Sequence, residues 1–268
     1  MSEHRHLDFF ERHGDQLALT CPYAVDVIQA APGIDNRNSL PWSRLFLMDA
    51  GVPDGRDPNF VTDIAARRRH PLVPGQVLFL PPDRLYGFRF SPGMRMIALH
   101  FRLEWAVGCD VFSGRSACET LAQHRDLIRS AYLALRRPDH ISNVASLRGI
   151  LMQLAGSCIR EVPKIAPRLQ AVLAHIEHHC QADCTIDALA IIAELSREHF
   201  TREFKRQVGI PPMEHVHRRL VQHACSSLLA GKKVKEVADN LGFTNEFYFS
   251  RFFKRRTGIA PRAFAASI

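Results

Sequence analysis

The sequence predicts an α+β chain with a strand-rich N-terminal half and an all-α C-terminal half. Three observations carry that reading. Short apolar runs separated by turn residues fill positions 20–103, helical periodicity begins near residue 117 and persists, and the last hundred residues contain a self-match at a period of about 49. A chain of 268 residues is long enough for two ordinary domains, each with its own core.

The strands come first. Leu45-Phe46-Leu47-Met48 runs into Asp49-Ala50-Gly51, Pro74-Gly75 leads into Val77-Leu78-Phe79-Leu80 before Pro81-Pro82, and Met96 to Phe101 follows Ser91-Pro92-Gly93. Many short strands at such spacing predict a β-barrel or sandwich. Between Asn143 and Val162, the residues Val144, Leu147, Ile150, Leu151, Leu154 and Cys158 mark one face of a helix. The segment Val162-Pro163-Lys164-Ile165-Ala166-Pro167 then interrupts it, because each proline disfavours helix in the residue before it. These breaks divide the chain into residues 1–116, 117–166 and 167–268.

The C-terminal part is a duplication. Leu189-Ala190, His199-Phe200, Phe204-Lys205, Gly209-Ile210 and Pro212 recur as Val237-Ala238, Tyr248-Phe249, Phe253-Lys254, Gly258-Ile259 and Pro261. The first pair is offset by 48 and the rest by 49, so the second unit holds one extra residue, in the turn near Leu241-Gly242-Phe243-Thr244. In each unit Ile186, Leu189, Ala190 and Ala193, or Val234, Val237, Ala238 and Leu241, follow helical spacing. Ser196, and Thr244 or Asn245, are suited to cap a second helix. Its inward residues are Phe200, Phe204 and Val208 in one unit and Tyr248, Phe249, Phe252 and Phe253 in the other. Gly209 and Gly258 suit the left-handed end. Two short helices and a tight turn, with a basic outer face on the second helix, is the helix-turn-helix plan. Leu169, Val172, Leu173 and Ile176 predict a lead-in helix, and Val216, Leu220, Ala224 and Leu228 a connecting helix that ends at Gly231. A rigid connector would hold two recognition helices roughly 34 Å apart, one DNA turn.

Arg219-Leu220, Ala224, Leu228-Leu229, Val237-Ala238, Gly242-Phe243, Tyr248-Phe249-Ser250-Arg251, Phe253-Lys254, Gly258 and Pro261 together resemble the signature of the AraC/XylS family of transcription regulators. Two positions depart from it: Glu194 stands at a turn position that is usually glycine, and Phe247 where a small polar residue is usual. The resemblance implies double-stranded promoter DNA and RNA polymerase as partners. With the core positions removed, the groove-facing candidates are Arg197, Glu198, Thr201, Arg202 and Lys205, then Asn245, Glu246, Phe247, Ser250, Arg251 and Lys254. Arginine suits guanine, glutamate accepts from cytosine, and Phe247 suits a thymine methyl. Lys232, Lys233, Arg255 and Arg256 are expected at phosphates.

Trp42-Ser43-Arg44-Leu45-Phe46 and the run from Leu72 to Pro82 resemble the cupin-like effector barrel common in the same family. That resemblance makes residues 1–116 an effector domain, residues 117–166 a dimerisation region with linker, and residues 167–268 the DNA-binding domain. It implies a homodimer whose barrel takes a small molecule, a sugar among the candidates, and which activates a nearby catabolic operon. Trp42, Arg44, His70 and His100 are the effector-binding candidates.

The rival reading is a metal-dependent cupin enzyme with an appended DNA module. Such a centre needs converging histidines and a carboxylate, whereas His70 and His100 stand alone. His175, His178, His179, Cys180 and Cys184 have zinc-binding chemistry but no zinc spacing. Arg67-Arg68-Arg69-His70 suits a solvated edge or an anion, and Trp105 and Phe112 suit core packing. No catalytic residue, metal or cofactor is expected. The net charge of +8 favours an anionic partner. Residues 168–268 hold 15 Lys and Arg against 10 Asp and Glu, which is five of those eight charges. Seven cysteines without an export signal, and no long apolar run, predict a reduced cytoplasmic protein away from membranes.

Overall fold

The computed structural model describes residues 18–28, 34–50, 59–91, 93–114, 119–120, 126, 145–146, 148–153 and 165–266. The predicted strands are present, and further ones join them. In chain order they are β1 (Ala18–Ile28), β2 (Ile34–Asn38), β3 (Ser43–Ala50), β4 (Phe60–Asp63), β5 (Arg68–Pro71), β6 (Val77–Leu80), β7 (Tyr86–Phe90), β8 (Arg95–Ala106), β9 (Cys109–Asp110) and β10 (Glu119–Thr120).

Among the described residues they form no closed barrel. One antiparallel sheet runs β1-β8-β3-β6-β10, with β9 on β8; a second runs β2-β7-β4-β5. The closed barrel expected from the sequence is therefore replaced by two separate sheets. Alternation within the central strands shows why. Phe46, Met48, Leu78, Leu80, Met96 and Ala98 face Val61, Tyr86, Phe88 and Phe90 of the second sheet. Leu45, Leu47, Val77, Phe79, Ile97, Leu99, Phe101 and Leu103 form another core with Phe112 and with Ile150 and Leu151, which belong to a helical segment over residues 148–153. A strand apolar on both faces fits a middle layer, so β6 is buried at every position. Of the trailing helix predicted from Val144 to Cys158, the positions Val144, Leu147, Leu154 and Cys158 lie outside the described residues, as does the break at 162–164.

Seven helices follow: α1 (Pro167–His178), α2 (Ile186–Ile192), α3 (Arg197–Val208), α4 (Pro212–Leu229), α5 (Val234–Asn240), α6 (Glu246–Thr257) and α7 (Pro261–Ala266). α1, α4 and α7 each begin with proline, whose fixed φ suits the first helical turn and whose missing N–H is not needed there. α1 buries Leu169, Val172, Leu173 and Ile176, and α4 buries Val216, Leu220, Ala224 and Leu228. These eight positions are the ones the helical spacing marks.

The two halves share a core. Leu40, Trp42 and Cys109 are buried in one cluster with residues from α1 to α7. The Ser39 amide donates to the Thr257 carbonyl at 2.7 Å, joining the end of β2 to the end of α6. The Trp42 and Phe264 rings stack with centroids 6.2 Å apart. Arg218 pairs with Asp83 at 2.9 Å, and Arg219 with Glu104 at 3.1 Å and with Glu177.

Candidate nucleic-acid interface

Each repeat folds as a short helix, a tight turn and a second helix with matched ends. α3 starts at Ser196, whose hydroxyl accepts the His199 amide at 3.4 Å, and ends at Gly209 with φ 88°. α6 starts at Asn245, whose side-chain oxygen accepts the amides of Phe247 and Tyr248 at 3.0 Å each, and ends at Gly258 with φ 83°. Of the two residues suited to cap the second unit, Asn245 does so. Phe200 and Phe204, and Phe249 and Phe253, are completely buried at one helical turn's spacing. Val208 and Phe252 are half-buried against the same core. α4 is 18 residues long, a rod of about 27 Å at 1.5 Å per residue, and it lies between the two units in the chain.

On α3, Arg197, Glu198, Arg202 and Lys205 are exposed. Thr201 is half-buried, and its hydroxyl donates to the Arg197 carbonyl at 2.7 Å. Arg197 also lies 3.4 Å from Asp187. On α6, Arg251 and Lys254 are exposed, Ser250 is half-buried, and Glu246 pairs with Arg262 at 2.9 Å. Phe247 is 64% exposed, and the Arg251 guanidinium lies 5.6 Å over its ring. An aromatic held in water beneath a guanidinium is preorganised for a flat apolar or π surface.

Two readings from the sequence need correction. Tyr248 was expected inside but is 56% exposed, edge-on to Phe247 at 6.0 Å. One residue is about 100° of helix, so burial of Phe249 turns Tyr248 out. Its hydroxyl and ring join the outer face, and helical phase counted from Phe249 and Phe253 is the signal that locates it. Arg256, expected at a phosphate, donates from both Nη atoms to Glu214 Oε2 at 2.8 and 2.9 Å. Burial opposes ionisation of Glu214, but Arg256 and Arg218 hold its carboxyl below the ordinary range. Arg255 and Lys233 are exposed, and Lys232 sits 3.8 Å from Glu236.

The effector-binding candidates do not converge as one set. Trp42 lies 6.0 Å from the His100 ring, and Arg44 stands opposite His100 in the β3–β8 register. Arg44 is buried, donates to Asn38 Oδ1 at 2.7 Å, and lies over the Tyr86 and Phe88 rings at 5.0 and 5.1 Å. Desolvation, then the Arg44 charge, push the His100 imidazole down to about 3. His70 is elsewhere, on β5 opposite Val61, lowered by burial and by Arg68. Among the described residues, no three His, Cys, Asp or Glu side chains are placed to share a metal ion. His175 and His179 stack at 4.6 Å, and burial pushes the Cys180 thiol up to about 12. No described helix is long and apolar enough to cross a membrane.

Two capped helix-turn-helix units on one connecting helix, each with a basic exposed second helix, define a DNA-binding transcription regulator. Comparison with known proteins agrees. Residues 189–267 match a family model described as a helix-turn-helix domain. Over 259 residues the chain is 24% identical to the MmsAB operon regulatory protein of Pseudomonas aeruginosa, covering 95% of this chain and 76% of that one. It is 26% identical over 266 residues to the transcriptional activator RhaS of Escherichia coli O81, covering 95% and 87%. The crystal structure of ToxT from Vibrio cholerae O395 shares the fold at a TM-score of 0.59 and 12% identity, over 93% of this chain and 97% of that one. Along nearly its whole length the chain is thus similar to named transcription regulators, and its last eighty residues carry their helix-turn-helix domain.

Proposed function

We propose that this protein is a ligand-responsive activator that binds promoter DNA in the cytoplasm as a homodimer and recruits RNA polymerase. The matched pair of capped recognition helices carries the reading. Arg197, Glu198, Thr201, Arg202 and Lys205, with Asn245, Glu246, Phe247, Ser250, Arg251 and Lys254, form the reading face, and Tyr248 extends it. Residues 1–116 sense the effector, 117–166 dimerise and 167–268 bind DNA. RhaS is named as an activator, and one ToxT structure is titled as binding an unsaturated fatty acid, at a TM-score of 0.53. The first supports an activator, and the second a regulator that takes a small molecule.

The contacts at the seam suggest how sensing reaches DNA. Trp42 touches His100 of β8 on one side and Phe264 of α7 on the other, so it conveys a change in the sheets to the C-terminal helices. Selection of bound genomic fragments, followed by anisotropy titrations at several salt concentrations, tests the DNA side. The expected result is specific binding whose log affinity falls linearly with log salt, with a slope of about −0.9 per phosphate contact. Equal affinity for selected and random fragments would overturn sequence-specific recognition.

A further inference from the structure

The space between the two sheets is filled by Phe46, Met48, Leu78, Tyr86, Phe88 and their neighbours, whereas the outer face of the four-stranded sheet is hollow. A cavity of about 240 Å³ lies there, lined by Arg37, Phe60, Thr62, Gly87, Arg89 and Arg69 among others. The register explains its shape. Arg37 on β2 is opposite Gly87 on β7, Gly87 is opposite Thr62 on β4, and Thr62 is opposite Arg69 on β5. One row across the sheet thus has small residues in its middle and an arginine at either end. Gly87 and Thr62 make the floor. In the adjoining row, Arg89 is opposite Phe60.

We propose that this groove binds a small organic anion, an oxyanion head on a flat apolar body. Guanidinium forks match carboxylate and phosphate oxygens in pairs, and Arg37, Arg69 and Arg89 are all exposed at the rim. By register Arg37, Arg69 and Arg89 share this face, which therefore carries three guanidinium charges. Phe60 supplies the flat surface, and the Arg69 guanidinium already lies 4.9 Å over its ring. The cavity is smaller than the roughly 300–1,000 Å³ of drug-sized sites, which limits the ligand to metabolite size.

The groove also touches the DNA-binding half. Arg37 contributes its side chain to the groove, while a Cβ at Gly258 would stand 2.9 Å from the Arg37 carbonyl oxygen. Two residues on, Ser39 bonds Thr257 at the end of α6. An anion drawing on Arg37 therefore acts on the strand that seats the second recognition helix. This proposal rests on the ligand-responsive reading and names its ligand class.

Calorimetric titration of the full chain with benzoate, phenyl phosphate and inorganic phosphate tests it. Benzoate or phenyl phosphate is expected to bind at one site, at least tenfold more weakly in the double variant Arg69→Gln/Arg89→Gln. Phe60→Leu is expected to weaken the aromatic probe and leave inorganic phosphate unchanged; a preference for phenyl phosphate over benzoate identifies a phosphate ester, and the reverse a carboxylate. Both variants should keep the wild-type melting temperature, since the changed groups are exposed or half-buried. No binding of any probe, or binding that survives the double substitution, overturns the groove. DNA affinity is measured in parallel. A probe that binds the groove but leaves DNA affinity unmoved upholds the site and overturns the ligand-responsive reading, while DNA binding with an empty groove leaves the regulator intact and sinks only this proposal.

Discussion

Glu194 sits at φ 54°, in the left-handed region that the matching Gly242 occupies at φ 72°. For an L-residue with a long side chain that backbone costs roughly 1 kcal/mol. Glu194→Gly is therefore expected to stabilise the first unit by about 1 kcal/mol and to raise the melting temperature by about 2–4 °C; an unchanged or lower value in a thermal melt would show that the turn is not strained. On α6, Arg251 is exposed and stacked on Phe247. Arg251→Ala is expected to weaken binding to a selected DNA site by about 1–3 kcal/mol. Anisotropy on random DNA supplies the control, because an equal loss there would make Arg251 a phosphate contact. Turn strain and end caps were legible at this scale because they depend on adjacent residues. The exposure of Tyr248 was not, since four aromatics within six positions satisfy several helical faces and only packing selects Phe249 and Phe253.

The caps decide where the recognition helices begin. Asn245 satisfies two amides at the head of α6, while Ser196 accepts only one, at a longer distance, at the head of α3. Asn245→Ala should cost about 1 kcal/mol and let the first turn carrying Glu246 and Phe247 fray. Ser196→Ala should cost less, and amide exchange at residues 247–248 and 198–199 would rank them. If the exchange of both turns rises equally, the difference in geometry has no energetic meaning. Helices were read closely from sequence because period and caps agree at both ends. The strands were read as strands but assembled wrongly. β3, β6 and β8 present continuous apolar runs, which do not say whether a sheet closes on itself or is covered on both faces. Here the second sheet covers one face, with Phe112, Ile150 and Leu151 on the other.

Contacts between the halves were the least legible part, because they join positions as distant as Ser39 and Thr257 and follow no local period. One of them gives the seam a pH dependence. His215 on α4 is buried, with its ring 5.6 Å from Phe204, and Gly108 of the β8–β9 turn lies against it. Burial first, then the Arg218 and Arg102 charges, push its imidazole down to about 4 from an ordinary 6.5. The unfolded chain therefore binds a proton that the folded chain refuses between those two values. Stability from the neutral ring is complete above pH 6.5 and is lost as the pH falls toward 4, at no more than about 1.4 kcal/mol per pH unit. Other groups tilt the whole curve the opposite way. Burial raises Asp83, and it pushes Asp110 up to about 7, so these carboxyls lose stability as the pH rises. A single melting curve mixes the two signs, but the difference between wild type and His215→Phe cancels what both proteins share. Phenylalanine keeps a ring against Phe204 and removes the titration. Urea midpoints at pH 7.5 and 5.5 should show the wild type losing about 1 kcal/mol more than the variant over that interval. Equal losses would mean that His215 takes up its proton in the folded seam, and that the contact between the two halves does not depend on its neutrality.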